Sequence, residues 1–267
     1  MFLKCSIKDI NVELYDATGD ATRLYSRAHK KICLLLIIIC CSLKATAQHT
    51  ITISFKNMVG NQPLNTDSIY TNQFGEPFKI RNCRYYISNI VLLDSLNSKS
   101  QSFNDQYFLV DEKEDESKHI ALATSLQHIT GLQFLLGVDS IKNVSGVQTG
   151  SLDPARGMFW TWNTGYVMAK LEGTSPVAKT PGHAFSYHVG GYKPGEAVAK
   201  KIQLAVQEPL ALHRGYKTIF ITADILKWFS NKYTIKIADV TFCHEPGKLA
   251  MQLADNYAGM FSIESVE

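Results

Sequence analysis

The chain has no long apolar run, no excess of basic charge and few cysteines. Its longest largely apolar stretch, Ile32 to Leu43, has 12 residues, short of the roughly 20 that a membrane-spanning helix needs. After residue 47 the chain carries 20 lysines and arginines against 20 acidic residues. That balance leaves neither the basic footprint of a nucleic-acid binder nor a polybasic membrane-surface patch. No HExxH, CxxC or closely spaced His-x-His occurs, so spacing alone marks no metal site. The G-x-S-x-G elbow and the Walker and Rossmann glycine fingerprints are also missing, which removes the common hydrolase and nucleotide-binding signatures. A glycosidase needs two carboxylates facing across a cleft, and only the arbitrary pair Glu172 and Asp153 offers itself.

Lys30 and Lys31 precede the apolar run, and Ala45-Thr46-Ala47 follows it. This order reads as a secretory signal peptide, with cleavage expected after Ala47 and export to the periplasm or beyond. Residues 1–47 are therefore read as a leader, its start codon misassigned because the first 30 residues carry mixed charge and no apolar run. Lipidation at Cys40 or Cys41 is disfavoured, since Ile39 and Cys40 stand where a small residue is required. Beyond the leader only Cys83 and Cys243 remain. In an oxidising compartment they can form one bridge, or they can stay as two buried thiols.

Residues 48–267 read as one domain built mainly of short strands. Thr50 to Phe55 alternates strictly, and strand patterns recur at Arg84–Leu93, Tyr107–Val110, Ile120–Ala123, Leu132–Val138, Met158–Leu171, His183–Val189, Lys201–Val206, Thr218–Thr222 and Thr234–Ala238. Polar segments such as Asn97–Asp105 separate them as loops. Short strands divided by turn signals predict a β-sandwich or distorted barrel. Asp224 is positioned to cap a short helix through Phe229. Leu249, Leu253, Tyr257 and Phe261 repeat every four residues and predict a C-terminal helix.

The most distinctive stretch is Leu152-Asp153-Pro154-Ala155-Arg156-Gly157-Met158-Phe159-Trp160-Thr161-Trp162-Asn163-Thr164-Gly165-Tyr166. It is preceded by Gly137-Val138-Asp139-Ser140. Further elements are Arg84-Tyr85-Tyr86-Ile87-Ser88-Asn89-Ile90, Tyr187-His188-Val189-Gly190-Gly191-Tyr192 and Ala254-Asp255-Asn256-Tyr257-Ala258-Gly259-Met260-Phe261. Together they resemble the MbnP family of periplasmic copper-binding proteins over most of the chain after the leader. The resemblance implies a β-rich, exported, non-enzymatic domain. It also implies copper held by histidines beside a tryptophan that a dihaem peroxidase-like partner oxidises to kynurenine.

Imidazole suits copper, so the histidines are the ligands to weigh. On a regular strand Ser186 and His188 face one way, with His183, Phe185 and Tyr187 opposite. His188 is the leading ligand. His244, in the turn Cys243-His244-Glu245-Pro246-Gly247, or His49, at the start of the exported chain, is the second. His119, His128 and His213 read as loop histidines. Trp160 and Trp162 share one strand face, where one or both pack into the core or one stands beside the metal as the modified residue; Trp228 reads as core. Asp139, Asp153 and Asn163 form an oxygen-rich set that either makes turns or holds calcium. The alternative function is a metal-free periplasmic recognition module contacting a partner through Tyr166, Tyr187 and Tyr192.

Overall fold

The computed structural model describes residues 48–161, 164–212 and 217–267. The leader with its cleavage point, Trp162, Asn163 and His213 lie outside the described residues. Gln48–Glu267 forms one compact unit. In chain order the strands are β1 (His49–Val59), β2 (Gln62–Pro63), β3 (Tyr70–Thr71), β4 (Pro77–Asp94), β5 (Lys99–Asp111), β6 (His119–Thr124) and β7 (His128–Leu136). Helix α1 (Ser140–Val144) follows, then β8 (Phe159–Thr161), β9 (Gly165–Thr174), β10 (Ala184–Gly190), β11 (Lys200–Ala211), β12 (Lys217–Asp224) and β13 (Phe242–Cys243). Helix α2 (Lys248–Tyr257) and β14 (Phe261–Val266) close the chain.

Two open sheets result. One runs β14-β12-β1-β2 with β6 also on β1; the other runs β11-β7-β4-β9-β10-β13, with β3 and β5 on β4 and β8 on β9. The alternation in β1 sets the inner face of the smaller sheet. Ile51, Ile53 and Phe55 are buried, and β12 lies parallel to them with Ile53 opposite Ile219 and Phe55 opposite Ile221. Phe55 meets Tyr85 of β4, Phe134 of β7 and Phe261 of β14 edge-on, with centroids 6.0–6.1 Å apart. Each such pair adds about 0.5–1.5 kcal/mol beyond the area it buries. These rings join the two sheets face to face, and the fold is a β-sandwich.

Four local expectations are corrected. Asn97–Asp105 is largely strand: β5 pairs along β4 as a mostly exposed ribbon, so its polar side chains lose little hydration. Met158–Leu171 is a hairpin of β8 and β9 rather than one strand. The four-residue apolar repeat continues past the end of α2, which stops at Tyr257; a 3₁₀ turn, Ala258–Met260, hands Phe261 to β14 and the aromatic core. Asp224 caps a 3₁₀ turn, Ile225–Trp228, by accepting from Leu226 N, and Trp228 is buried.

Thr234–Ala238 is a further correction: its strand-like composition does not become a strand. Thr234 makes one bridge to Ser230, Ile235 and Lys236 are irregular, and Ile237 and Ala238 lie in a turn. The reason is a buried carboxylate. Glu76, 6% exposed, accepts from Ile237 N at 2.9 Å, Ala238 N at 3.0 Å and Asn72 Nδ2 at 2.7 Å. Backbone donors satisfied by a side chain have no need of a ladder.

Cys83 and Cys243 are buried free thiols, so the second of the two readings holds. Burial raises both thiols, Cys243 to about 11. Unfolding a chain of residues 48–267 without reductant should therefore expose two groups to a thiol reagent, whereas a bridge would leave none. Glu76→Ala should lower the urea midpoint by an amount equivalent to about 2–4 kcal/mol, because it strands buried donors that had a charged acceptor. Glu76→Gln should cost less, and equal midpoints for wild type and Glu76→Ala would exclude the clamp.

Candidate functional site

The outer face of the larger sheet gathers the polar chemistry. In β10, Phe185, Tyr187 and Val189 are 0–1% exposed and point into the core, so Ser186 and His188 face outward, as alternation predicts. Antiparallel pairing sets Ser186 opposite Glu172 and His188 opposite Lys170 of β9. On the other edge of β9, Glu172 pairs with Asn82 and Lys170 with Arg84 of β4, and Arg84 pairs with Asp111 of β5. Two transverse rows of polar side chains thus cross the sheet.

His244 enters this face through β13. Parallel pairing sets Ser186 opposite Phe242 and Tyr187 opposite Cys243. Cys243 is buried, and the next residue in the chain lies beside His188. The two imidazole rings stand 4.5 Å apart, tilted by 33°. Both Nε2 atoms reach the same hydroxyl, His244 at 2.8 Å and His188 at 3.1 Å from Ser186 Oγ. His188 Nε2 also meets Glu172 Oε1 at 2.6 Å, and Asn82 Nδ2 donates to Glu172 Oε2 at 2.9 Å. Asn82 Oδ1 is buried with no hydrogen-bond partner. A cavity of about 370 Å³ opens at His244, lined by residues 242–250 up to the start of α2.

The charges are mutually adjusted. The hydrogen bond from His188, aided by Asn82 and opposed by burial, holds Glu172 down at about 2. Burial, then the charge on His188, lowers His244 and favours its neutral, ligating form. Burial also lowers Lys170, whose Nζ donates to Gly157 O at 2.6 Å. Among the described residues no three His, Cys, Asp or Glu side chains are arranged to hold a metal ion. As they stand, these groups satisfy one another.

Trp160, on β8, packs against the hydrophobic core. Its half-buried indole lies over Gly190, two residues beyond His188. A Cβ at Gly190 would come within 2.7 Å of Trp160 Cζ3 and 2.7 Å of Tyr166 O, so only glycine admits the ring there. Trp162 lies outside the described residues. His49 begins β1 in the smaller sheet, opposite Thr124 of β6, and makes no hydrogen bond or ring contact with His188 or His244 among the described residues. His119 is exposed at the head of β6, and His128 lies 3.9 Å from Asp94 and 3.3 Å from Asn97. The oxygen-rich aspartates serve separate turns: Asp139 caps α1 through Lys142 N and meets Tyr107 and Asn89, while Asp153 accepts from Ala155 N.

Of the three tyrosines of the recognition-module reading, Tyr166 and Tyr187 are 1% and 0% exposed and offer no contact surface, while Tyr192 is half-buried. Sequence reading missed Glu172, Ser186 and Asn82 as site residues. Glu172 stands two positions from Lys170 in an otherwise apolar strand, and that spacing was the available signal.

A family model described as MbnP matches residues 48–245. The solved structure of MbnP from Methylosinus trichosporium is similar at a TM-score of 0.50 and 14% identity, over 76% of this chain and 83% of that one. At that identity the likeness carries the fold alone. No curated protein matches the chain.

The His188–Glu172 contact makes stability depend on acid pH. Glu172 ordinarily titrates near 4.5 and is held at about 2 in the folded chain, so its contribution is complete above 4.5 and is lost as pH falls toward 2. Urea midpoints measured across that window should fall more for wild type than for Glu172→Gln; parallel curves would show that the contact contributes nothing.

Proposed function

Because this chain belongs to the MbnP family, we propose that it is an exported, non-enzymatic copper-binding protein acting in copper handling. His188 is its principal ligand and His244 the second. Trp160 is the neighbouring indole, open to oxidation by a dihaem peroxidase-like partner. The observation that carries this reading is the convergence of two imidazoles, 56 residues apart in the chain, on one hydroxyl. Family membership alone would not select that pair.

The donors fit copper in kind. Neutral imidazole is a common copper ligand, and copper stands highest in the divalent series for such sites. The buried acceptor left open at Asn82 lies beside them. His49, in the other sheet, is the weaker second ligand. Bound copper would supply one-electron redox chemistry beside an indole. The chain's own part is to hold two rings side by side and keep His244 neutral. No helix among the described residues is long and apolar enough to cross a membrane, and export through the leader, to the periplasm or outside, is part of the proposal.

After loading with copper and desalting, metal analysis should find about one copper per chain, as expected for a single imidazole-pair site. His188→Ala and His244→Ala should each lose most of it, and His49→Ala should lose little. Unchanged copper in His188→Ala would remove that residue from the site. Intact mass of protein produced with its genomic neighbours tests the indole: an unmodified mass would reject the oxidation.

A further inference from the structure

We propose that the outer face of the larger sheet around α1 pairs with the same face of a second copy of this chain, forming a two-fold dimer. The inference stands apart from the copper reading, since it uses neither histidine.

The face carries a hollow and a ridge side by side. At Asn89 the register of β4 shifts against both β5 and β7, and Asn89 itself is left-handed at φ 49°. Such a bulge bends a strand. Beside it lies a cleft of about 460 Å³, its apolar wall formed by Val91 of β4, Leu135 of β7 and Ile141 of α1. Ile141 and Val144 stand three residues apart on α1 and so share one face; Val147 follows in the next loop. The three side chains are 73%, 66% and 70% exposed. The ridge is nevertheless held firmly. Asn143 is buried, its Nδ2 donates to Val138 O at 3.2 Å and Asp139 O at 2.9 Å, and its Oδ1 accepts from Tyr166 N at 2.8 Å. A ridge already ordered loses little freedom on docking.

A second copy fits because the face complements itself. About a two-fold axis every contact of one residue with another is repeated with the copies exchanged. The ridge of each copy therefore enters the cleft of the other. Contiguous exposed apolar surface of this kind marks interaction sites. The charges agree. Lys201, on the rim of the cleft, is exposed and makes no ion pair among the described residues. Asp105, on the same rim, keeps its side chain 81% exposed although Lys142 comes within 3.8 Å. The two-fold brings each Lys201 to the Asp105 of the other copy. Residues 48–267 balance 20 cations against 20 acids, so no net charge opposes the pairing.

The test is sedimentation equilibrium of residues 48–267, the compact unit, between about 1 μM and about 1 mM protein. Wild type should show a monomer–dimer equilibrium in that range. Ile141→Asp and Val144→Asp each place an unpaired carboxylate in the apolar contact, which costs about tenfold per copy. Each residue enters the interface twice, so dimerisation should weaken about a hundredfold. Lys201→Glu should weaken it a few-fold, most at low salt. Ile69→Asp is the control. Ile69 is 75% exposed and precedes Tyr70, which pairs with Phe78 toward the opposite end of β4 from Val91. That variant should dimerise as wild type does. All four side chains are exposed in the single chain, so circular dichroism should stay unchanged. A monomer throughout the range, an assembly larger than two, a dimer that Val144→Asp leaves intact, or one that Ile69→Asp weakens equally would each overturn the proposal.

Discussion

His244 reaches His188 because a buried carboxylate holds the chain that leads to it. The segment between β12 and β13 leaves the smaller sheet and must deliver Phe242 and Cys243 to the edge of the larger one. A two-residue strand has too few ladder bonds to fix its own position. Glu76 anchors the approach through Ile237 N and Ala238 N. Tyr187 OH then donates to Val240 O at 2.6 Å, and Ser186 N to Thr241 O at 2.8 Å. The β10–β13 register follows from these contacts, and the imidazole pair follows from the register. A charged acceptor under a loop costs desolvation, which three donors offset. Its return is positional: it sets which outward-facing side chain lies beside His188.

This explains how much of the site was legible beforehand. The alternation Phe185-Ser186-Tyr187-His188-Val189 separates core from surface without any structure, because a strand's side chains have period two. It identified the outward pair correctly. What it cannot supply is the neighbour across the ladder. The partners of β10 are an antiparallel strand ending ten residues upstream and a two-residue parallel strand more than fifty residues downstream. Local pattern carries no register between such segments. Glu172 could be named beforehand only as an arbitrary carboxylate for that reason: alone it is one acid in an apolar run, and it joins the histidines only opposite Ser186.

The misread elements have the same cause. Thr234–Ala238 has strand-like residues, yet its donors go to a glutamate about 160 residues away in the chain. Phe261 continues a helical apolar repeat, yet its ring is taken by Tyr85 at 5.6 Å and Phe134 at 5.2 Å, which pulls it into β14. In both cases tertiary contacts decided between two locally acceptable states. Where one face of an element meets the core along its whole length, as in β1, pattern and structure agree.

Strand alternation does a further thing on this sheet: it sorts chemistry by hardness. At the edge formed by β10 and β13, the inward positions carry a thiol, a phenol and apolar rings; the outward positions carry imidazoles, a hydroxyl and, on β9, a carboxylate and an ammonium group. The inward thiol is raised by burial and is therefore a poor nucleophile and ligand. The outward imidazole of His244 is lowered by the same force and is therefore a better ligand. Desolvation disfavours whichever form is charged, so one physical effect silences the soft donor and prepares the nitrogen donor one residue later. Moving the register of β13 by a single residue would exchange them, placing sulfur outside and nitrogen in the core, and with that the character of the site would invert.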